Sequence, residues 1–493
     1  MSGYTELGGS LFSQGLAGFV ARSLSAIEDI APTREILISR SRVLDMSVPI
    51  ARAAIDRIVA GVVGSGLMWD NPTRSNFFEG EALERYKETV GRIKKRLCLW
   101  SMSHACDAQR RSTFGQLQRI VCRNWLLSGD VFLVRRPPMD GRTVSDWRVI
   151  EADRCATPFD MASNNALGIK CINPETGNVV IEGVELDCAG APVAYHFRDS
   201  YYDDTTCEFT RIPAFDVDGS PLVLHIFSAE RPDQYRGVPL LAPIIECIYG
   251  TACYAQSELQ AAILESCFSL FFETDTDPTA NPFAPETDLD KPLIPDPEYK
   301  LSPESRSPLG IPGMVRDTSV IGPGESRRLK PGEKVHTVDP KRPNSGYEAF
   351  IKAQNGMIAA AIGVPLQVLQ ATYDGTTYAS ARAATVEAWR TFRVYRNIFI
   401  ELFIKPVLNV FCRETLRDMY PNDTTELADI IALDSTWTGP SAVCLDPTKE
   451  LQAYETAYKM GLVSLDEVAQ SIYGHSAAND AEIEALREVG GSA

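Results

Sequence analysis

Carboxylates and histidines are the side chains of this 493-residue chain that could perform metal or acid–base chemistry. One group of carboxylates flanks the tyrosine pair at 201–202 and comprises Asp199, Asp203, Asp204 and Glu208. Its spacing differs from that of a calcium-binding loop, in which alternate residues supply the ligands. We therefore predict a surface turn here rather than a metal site.

The histidines and cysteines give no metal-binding pattern either. His196 and His225 stand among apolar residues of predicted strands, so we predict hydrogen-bonded histidines of the core or rim rather than ligands or general bases. The 12 cysteines include no C-x-x-C pair and no Cys/His cluster, which argues against zinc and for reduced, structural thiols. The sequence thus predicts no metal and no cofactor.

Motifs that bind nucleotides or activate a nucleophile are missing from the sequence. It contains no G-x-x-x-x-G-K-[ST], and the G-x-x-G-x-G at 61–66 follows a helical pattern instead of the strand that a dinucleotide turn needs. H-E-x-x-H and G-x-S-x-G are also absent. We predict that the chain is not an enzyme. The alternative is an acidic multi-domain hydrolase whose metal-binding carboxylates come from distant strands. Metal-dependent activity on DNA would support this alternative.

The elements that would position these residues form separate helical and strand-rich blocks, which indicates an α+β protein. A Gly/Ser-rich start predicts a flexible arm, and helices follow from Ser47, over Glu81–Cys98 and over Arg110–Leu127. Alternating, β-branched segments from Val131 to Phe227 predict strands. A chain of this length is expected to form two to four folded regions.

A long helix is predicted from Ile244 to Phe272. Its apolar side carries Ile248, Leu259 and Ile263, and its polar side carries Glu258. The following region, 273–345, holds 13 prolines, which excludes long helices there. A disordered linker and a small β element both remain possible for it.

The region 346–417 combines a short helix, a loop and a very long helix. The short helix is predicted over Tyr347–Ile362 and is stopped by Gly363 and Pro365. The loop contains an Asp-Gly turn signal, and a long amphipathic helix starts at Ala379. Because proline disrupts the helical hydrogen-bond ladder, we predict a kink or a break at Pro406.

Two long motifs in this region resemble the lambda-type branch of the tailed-phage portal proteins. They read LKPGEKVHTVDPKRPNSGYEAFIKAQNGMIAAAIGVPLQVL from Leu329 and TYASARAATVEAWR from Thr377. The family usually has Asn-Tyr-Ser-Ser-Ala-Arg at the second position, where this chain has Thr377 and Ala379 in place of the asparagine and the first serine. The resemblance extends more thinly from about Ser41 to the C-terminal region.

The resemblance implies a portal fold with a wing, a helical stem, a small β-containing clip and a long helix that spans to a helical C-terminal region. The parts would be the flexible arm 1–40, the wing 41–242, a stem helix 243–272, the clip 273–345, a second stem helix 346–363, the tunnel loop 364–379, the long helix and return to the wing 380–433, and the C-terminal helical region on the crown side 434–493.

The function implied is that of a subunit in a homo-oligomeric ring, a dodecamer in this family, at one capsid vertex. Double-stranded DNA would be packaged and ejected through the ring, and the terminase large subunit, major capsid and scaffold proteins and head-completion proteins would be its partners. The predicted DNA-channel loop comprises Thr372, Tyr373, Asp374, Gly375 and Thr376. The predicted motor-docking residues of the clip are Arg327, Arg328, Lys330 and Lys334.

The net charge of −17 bears on how DNA would be handled. A protein that grips nucleic acid through phosphate contacts normally has an excess of basic residues. A channel differs, because cationic walls would hold the duplex whereas acidic walls would let it slide. The sequence leaves open whether the acidity has this role or only maintains solubility.

The sequence also predicts where the protein resides. The N-terminus lacks the basic flank of a secretory signal, and glutamates interrupt the most apolar long segment, so we expect no membrane span. The expected location is the host cytoplasm during assembly and the virion afterwards.

Overall fold

A computed structural model describes residues 24–70, 78–138, 142–163, 168–201, 207–266, 270–274, 333–337, 346–420, 425–440, 447–461 and 468. It divides into two compact units. The first contains the residues up to 249 and those from 353 onward, and the second contains residues 250–352. Helices and antiparallel sheets occur together, as the predicted α+β class requires.

A helix occupies most of the region predicted to be a flexible arm. α1 spans Ala26–Ser47 and begins with a capping box, in which the Ser25 and Glu28 side chains each accept from the other's backbone N–H. It buries Ile38 and Arg34, and Arg34 forms an ion pair with Glu182. The prediction of a flexible arm is therefore wrong for residues 26–40, because long-range contacts that local composition does not reveal hold this segment.

Three further helices build the main core of the first unit. α2 spans Pro49–Val62, α3 spans Gly80–Met102 and α4 spans Phe114–Ser128. Their apolar faces join one continuous hydrophobic cluster. α4 ends at Gly129, whose φ of +87° is readily adopted only by glycine.

Short strands form three antiparallel sheets in the described part of this unit. They are β1 Met68–Asp70, β2 Asp130–Arg136, β3 Asp146–Glu151, β4 Ala162–Ser163, β5 Lys170–Ile172, β6 Val179–Ile181, β7 Val184–Leu186, β8 Pro192–Arg198, β9 Phe209–Pro213 and β10 Val223–Phe227. One sheet has the strand order β10-β2-β3, and a second runs β4 to β9 in sequence order. β1 forms the third sheet with a strand near the C-terminus. The β-branched and aromatic content that predicted strands here reflects their half-buried faces.

The second unit contains most of a helix and a two-stranded ribbon. α5 spans Ile245–Ser266, and β11 Leu270–Thr274 pairs with β12 Glu333–Thr337. The prediction of a stem helix over 243–272 is therefore wrong at its end. Leu270, Phe271 and Phe272 pair with Thr337, His336 and Val335 instead, since bulky apolar residues fit a paired strand well.

The remaining helices include the longest helical run. α6 spans Tyr347–Ile362, α7 Leu366–Gln370, α8 Tyr378–Phe399, α9 Lys405–Met419 and α10 Thr425–Leu433. A π-helical turn, Ile400–Ile404, connects α8 to α9, and the Lys405 N–H donates to the Ile400 carbonyl. The run from Tyr378 to Met419 is thus unbroken and about 60 Å long. The irregularity predicted at Pro406 is a widened turn just before it, which accommodates the missing proline N–H.

The C-terminal region begins with a strand rather than the helical packing predicted for 434–493. β13 Thr436–Thr438 pairs antiparallel with β1, because the Trp-containing segment fits beside Trp69 in a two-stranded sheet. α11 Pro447–Lys459 follows, so helix is present in the later part of this region. No helix within the described ranges is long and apolar enough to span a membrane.

Candidate functional site

The segment between α7 and α8 is the candidate site, and two close contacts fix the helices on either side of it. The Thr391 hydroxyl on α8 donates to the Gly363 carbonyl at 2.7 Å, just before α7. On the other side of α8, the Phe392 ring packs onto Gly61 of α2 so closely that a Cβ there would lie 2.3 Å from a ring carbon. α8 is therefore positioned by the hydrogen bond from Thr391 to Gly363 and by the contact of Phe392 with Gly61.

Local backbone hydrogen bonds shape the loop itself. Ala371 ends α7 in the left-handed region at φ 55°, and the Thr372 N–H donates to the Gln367 carbonyl at 3.2 Å. The Thr376 N–H and hydroxyl both donate to the Tyr373 carbonyl. This tight turn requires a positive φ at Gly375, where the value is 70°.

The structure brings the predicted loop residues together on one exposed turn. Thr372, Tyr373, Asp374 and Gly375 are exposed, and Thr376 is half-buried. The Tyr373 side chain has 44% of its surface accessible. Chemically, the loop presents hydroxyls, one phenol and one carboxylate, with no cation of its own. Its contact with DNA stays a prediction.

Thr377, which lies in the predicted tunnel loop but not among the predicted DNA-channel residues, defines where the loop ends. The Thr377 hydroxyl accepts from the Ser380 N–H at 3.3 Å and caps α8. The sequence does contain a signal for this cap. Threonine is a favourable N-cap residue, and Thr377 stands directly before the apolar helical pattern of α8.

Of the predicted clip residues, only Lys334 lies within the described part of the chain. It pairs in register with Glu273 in the β11–β12 ribbon. Arg327, Arg328 and Lys330 lie outside the described residues. Seven of the ten ribbon positions, 273–274 and 333–337, lie in the predicted clip and are strand, whereas 270–272 lie in the predicted stem helix.

A half-buried arginine that sequence reasoning missed, Arg396, holds the C-terminal part of α8. The Arg396 guanidinium donates to the carbonyls of Gly61, Val62 and Pro440, at 2.7, 3.0 and 2.6 Å. Burial, reinforced by the charge of Arg393, lowers the pKa of Arg396 to about 10. The side chain thereby connects the C-terminal end of α2, the long helix and the β13 segment.

The histidines are satisfied core residues, as predicted. His225 Nε2 lies 3.3 Å from Asp130, and His196 Nε2 lies 3.1 Å from Glu185. Burial lowers the pKa of both histidines despite these carboxylates, so each imidazole is held in its neutral form and donates a hydrogen bond.

The carboxylates have structural partners as well. Burial alone would raise the pKa of Asp130, but Arg236, His225 and Arg34 hold it well below its usual range. In the predicted acidic turn, Asp199 accepts from the Glu208 N–H at 3.1 Å, whereas Asp203 and Asp204 lie outside the described residues. The described residues contain no group of three or more His, Cys, Asp or Glu placed to hold a metal ion.

Comparison with known proteins identifies the family. The model of the phage portal proteins of the lambda family matches residues 13–396. A protein named probable portal protein from Halomonas phage phiHAP-1 is 23% identical over 388 residues. That match covers 76% of this chain but 66% of the relative, so the chain spans slightly less than two thirds of the relative's length.

Solved structures similar to this chain come from the neck of a gene transfer agent particle. A chain from the empty particle, computed with C6 symmetry, is 15% identical with a TM-score of 0.45. A chain from the native particle, computed with C12 symmetry, is 14% identical with a TM-score of 0.43. Each similarity covers 88% of this chain and 92% of the other.

The matched family is structural rather than enzymatic, and this confirms the prediction that the chain is not an enzyme. The family model also covers α7, the loop, α8 as far as residue 396, and most of the first unit. The protein therefore belongs to the lambda family of phage portal proteins.

Proposed function

We propose that this protein is the subunit of a twelve-membered portal ring at one capsid vertex, through which double-stranded DNA is packaged and ejected. The observation that carries the proposal is a pair of exposed helix faces without charged residues, one on α5 and one on α6. A second copy of the chain is the partner that covers such faces.

The exposed face of α5 includes residues that the sequence predicted to be buried. Leu259 and Ile263, predicted to lie on the buried side, are 62% and 54% exposed, whereas Glu258 is half-buried. Within the second unit, Tyr254 packs against Tyr347 and Phe350 instead. Every exposed position of α5 from 249 to 263 is uncharged, and these positions combine apolar residues with Gln256, Ser257 and Gln260.

The face on α6 has the same character. In the first unit its exposed positions from 353 to 361 are Ala353, Met357, Ala360 and Ala361. Met357 has 53% of its surface accessible. Contiguous exposed apolar residues of this kind mark interaction surfaces.

Charge explains why these faces suit a second copy of the same chain. Each copy carries −17, so two copies repel one another over most of their surfaces. Repulsion is weakest, and the gain from burying apolar area largest, where neither copy presents a charge.

In the assembled ring we propose that the loop from Thr372 to Thr376 projects toward the DNA. Its lack of cations, together with the negative charge of twelve subunits, favours sliding of the duplex over tight binding. The clip, including Lys334, would dock the terminase large subunit and later the head-completion proteins, while the outer body contacts the major capsid and scaffold proteins. The protein would assemble in the host cytoplasm and reside in the virion.

The assembly surface is tested with Leu259→Glu and Ile263→Glu combined. We expect the double variant to remain folded by circular dichroism but to shift from rings to monomers in mass measurements, since charge enters an apolar interface. Val217→Glu is the control, because that side chain is fully exposed in a turn. Intact rings from the double variant would contradict this assignment.

The loop is tested separately by deleting residues 371–376. Because the loop contributes little to the hydrophobic core, we expect rings of normal mass but impaired translocation or retention of DNA. Normal amounts of packaged DNA in this variant would remove the proposed role of the loop while leaving the ring proposal standing.

A further inference from the structure

A groove of about 450 Å³ lies on the β10-β2-β3 sheet of the first unit, away from the loop between α7 and α8. Arg136 pairs with Asp146 and Val134 pairs with Arg148 across β2 and β3. Since side chains alternate along strands, these four residues share one face of the sheet. Val134, Arg136 and Arg148 line the groove.

Arginines crowd around a single buried carboxylate at this place. Asp146 accepts from Arg136 Nε at 2.8 Å and Nη2 at 2.6 Å, and from Arg142 Nη1 at 2.5 Å. Arg110 Nη2 lies 3.8 Å from the same carboxylate. One inaccessible negative charge is thus shared among three guanidinium groups.

A second buried carboxylate beside the groove is used by the backbone. Asp107 is buried and accepts from the N–H groups of Gln109, Arg111 and Ser112. These bonds fix the 107–112 segment beside the edge of β3, where the Ala108 N–H donates to the Trp147 carbonyl at 3.0 Å. Neither aspartate therefore faces solvent.

The accessible charge of the groove and its rim is positive. Arg148 and Arg111 are exposed, and neither has an ion pair with any described residue. Together with Arg110, Arg136 and Arg142, they outnumber the two buried aspartates. A sixth arginine that lines the groove, Arg135, is paired with Asp216 and Glu414. This excess stands out in a chain whose net charge is −17.

We propose that this arginine groove binds the phosphate backbone of double-stranded DNA. Guanidinium groups match phosphate geometry, and the bonds to Asp146 hold Arg136 and Arg142 in place before the ligand arrives, which reduces the entropic cost of binding. The proposal gives the portal a second DNA contact on the wing, outside the channel loop, and its biological setting rests on the proposed function.

The composition of the groove separates duplex DNA from two other polyanions. Single-stranded nucleic acid binds by stacking its bases on aromatic side chains, but the lining residues are Ala108, Gln109, Val134, Arg135, Arg136, Pro137 and Arg148. An acidic peptide could add as a strand at a sheet edge, but the 107–108 segment already covers that edge of β3.

The experiment measures binding of a fluorescent 30-base-pair duplex to the full-length protein by anisotropy at about 50 mM salt, where phosphate contacts are strongest. Arg111→Glu combined with Arg148→Glu removes the two arginines that have no ion pair, so folding should be unaffected. Arg57→Glu combined with Arg85→Glu makes the same change in net charge on exposed positions of α2 and α3.

We expect the groove variant to bind the duplex at least about tenfold more weakly than the parent protein. The slope of log K against log salt should become less negative by about 2, as loss of two phosphate contacts predicts. The control should remain within about twofold of the parent protein. Equal loss in both variants would show a general charge effect and overturn the proposal, as would absence of binding by the parent.

Two competitors and one parallel measurement complete the test. If polyglutamate displaces the labelled duplex more effectively than unlabelled duplex does, the ligand is an acidic protein and the proposal is overturned. Tighter binding of single-stranded DNA than of duplex would also overturn it. Electron microscopy of each variant reports ring formation independently, so a failure of the ring proposal is distinguishable from a failure of the groove.

Discussion

Buried ionised residues of the first unit are held by specific partners, and they make the stability of the protein depend on pH. Arg236 donates to Asp130 at 2.6 Å and to the carbonyls of Ala152, Cys155 and Glu182. His225 stacks on Phe132 at a centroid distance of 4.2 Å beside the same aspartate. One charged cluster thereby connects β2, β10 and the segments before β4 and β7.

The two buried histidines predict a loss of stability on mild acidification. Their folded-state pKa values are lowered by burial, so the folded state binds fewer protons than the unfolded state. The stability they contribute is present above the unfolded histidine pKa of about 6.5 and falls as the pH decreases below it.

Replacing both histidines by glutamine should flatten the dependence of the melting temperature on pH between about pH 7 and 5.5. Circular dichroism at several pH values measures this slope, which a uniform loss of stability does not alter. An unchanged slope would mean that other groups titrate in this range.

Arg396 should be among the most stabilising residues of the long helix. Arg396→Met leaves three carbonyl groups without their donor, and we expect the free energy of unfolding to fall by about 3 kcal/mol. Arg390→Met on the same helix removes an exposed ion pair with Glu387 and should cost less than about 1 kcal/mol. Urea unfolding of both variants gives the comparison, and similar losses would refute the special role of Arg396.

At the scale of elements, the approach of α8 to α2 depends on a missing side chain. Gly61→Ala places a Cβ within the Phe392 ring contact, and we expect a loss of about 1–3 kcal/mol from overpacking. Gly91 on α3 has open space around it, so Gly91→Ala should be neutral or stabilise the protein by up to about 1 kcal/mol. Thermal unfolding distinguishes these opposite signs, and equal effects would show that the Phe392 contact is unimportant.

The sequence predicted those elements whose pattern is local. The short helix before Gly363, the exposed loop and the long helix after it follow from periodicity and turn residues, and the structure contains all three. The Gly61–Phe392 contact joins α2 to α8 across more than 300 positions of the chain, and so does the hydrogen bond from Arg396 to the Val62 carbonyl. No local sequence pattern contains such contacts.

Helices whose partners are distant or intermolecular were predicted less well. α1 has a weak apolar pattern and is held partly by the buried Arg34, which composition alone assigned to an arm. In α5 the periodicity identified an apolar side correctly, but burial within the same chain was the wrong inference. An amphipathic pattern states which face avoids water and leaves open which molecule covers it.

On the scale of the whole molecule, net charge and apolar surface act in opposite directions. Copies carrying −17 repel one another, while the uncharged faces of α5 and α6 favour association. Salt screens the repulsion between exposed charges but affects apolar burial much less. We therefore expect assembly to increase from about 10 mM to 300 mM salt, as measured by analytical ultracentrifugation, and a decrease would indicate that ion pairs hold the interface.

Electron microscopy of the purified protein, combined with its mass in solution, tests the central claim most directly. We predict closed rings in two-dimensional class averages, with a central hole wide enough for a DNA duplex and a mass of twelve subunits. A compact monomer at every concentration and salt would contradict the portal ring, and metal-dependent hydrolysis of DNA would then be the next activity to assay.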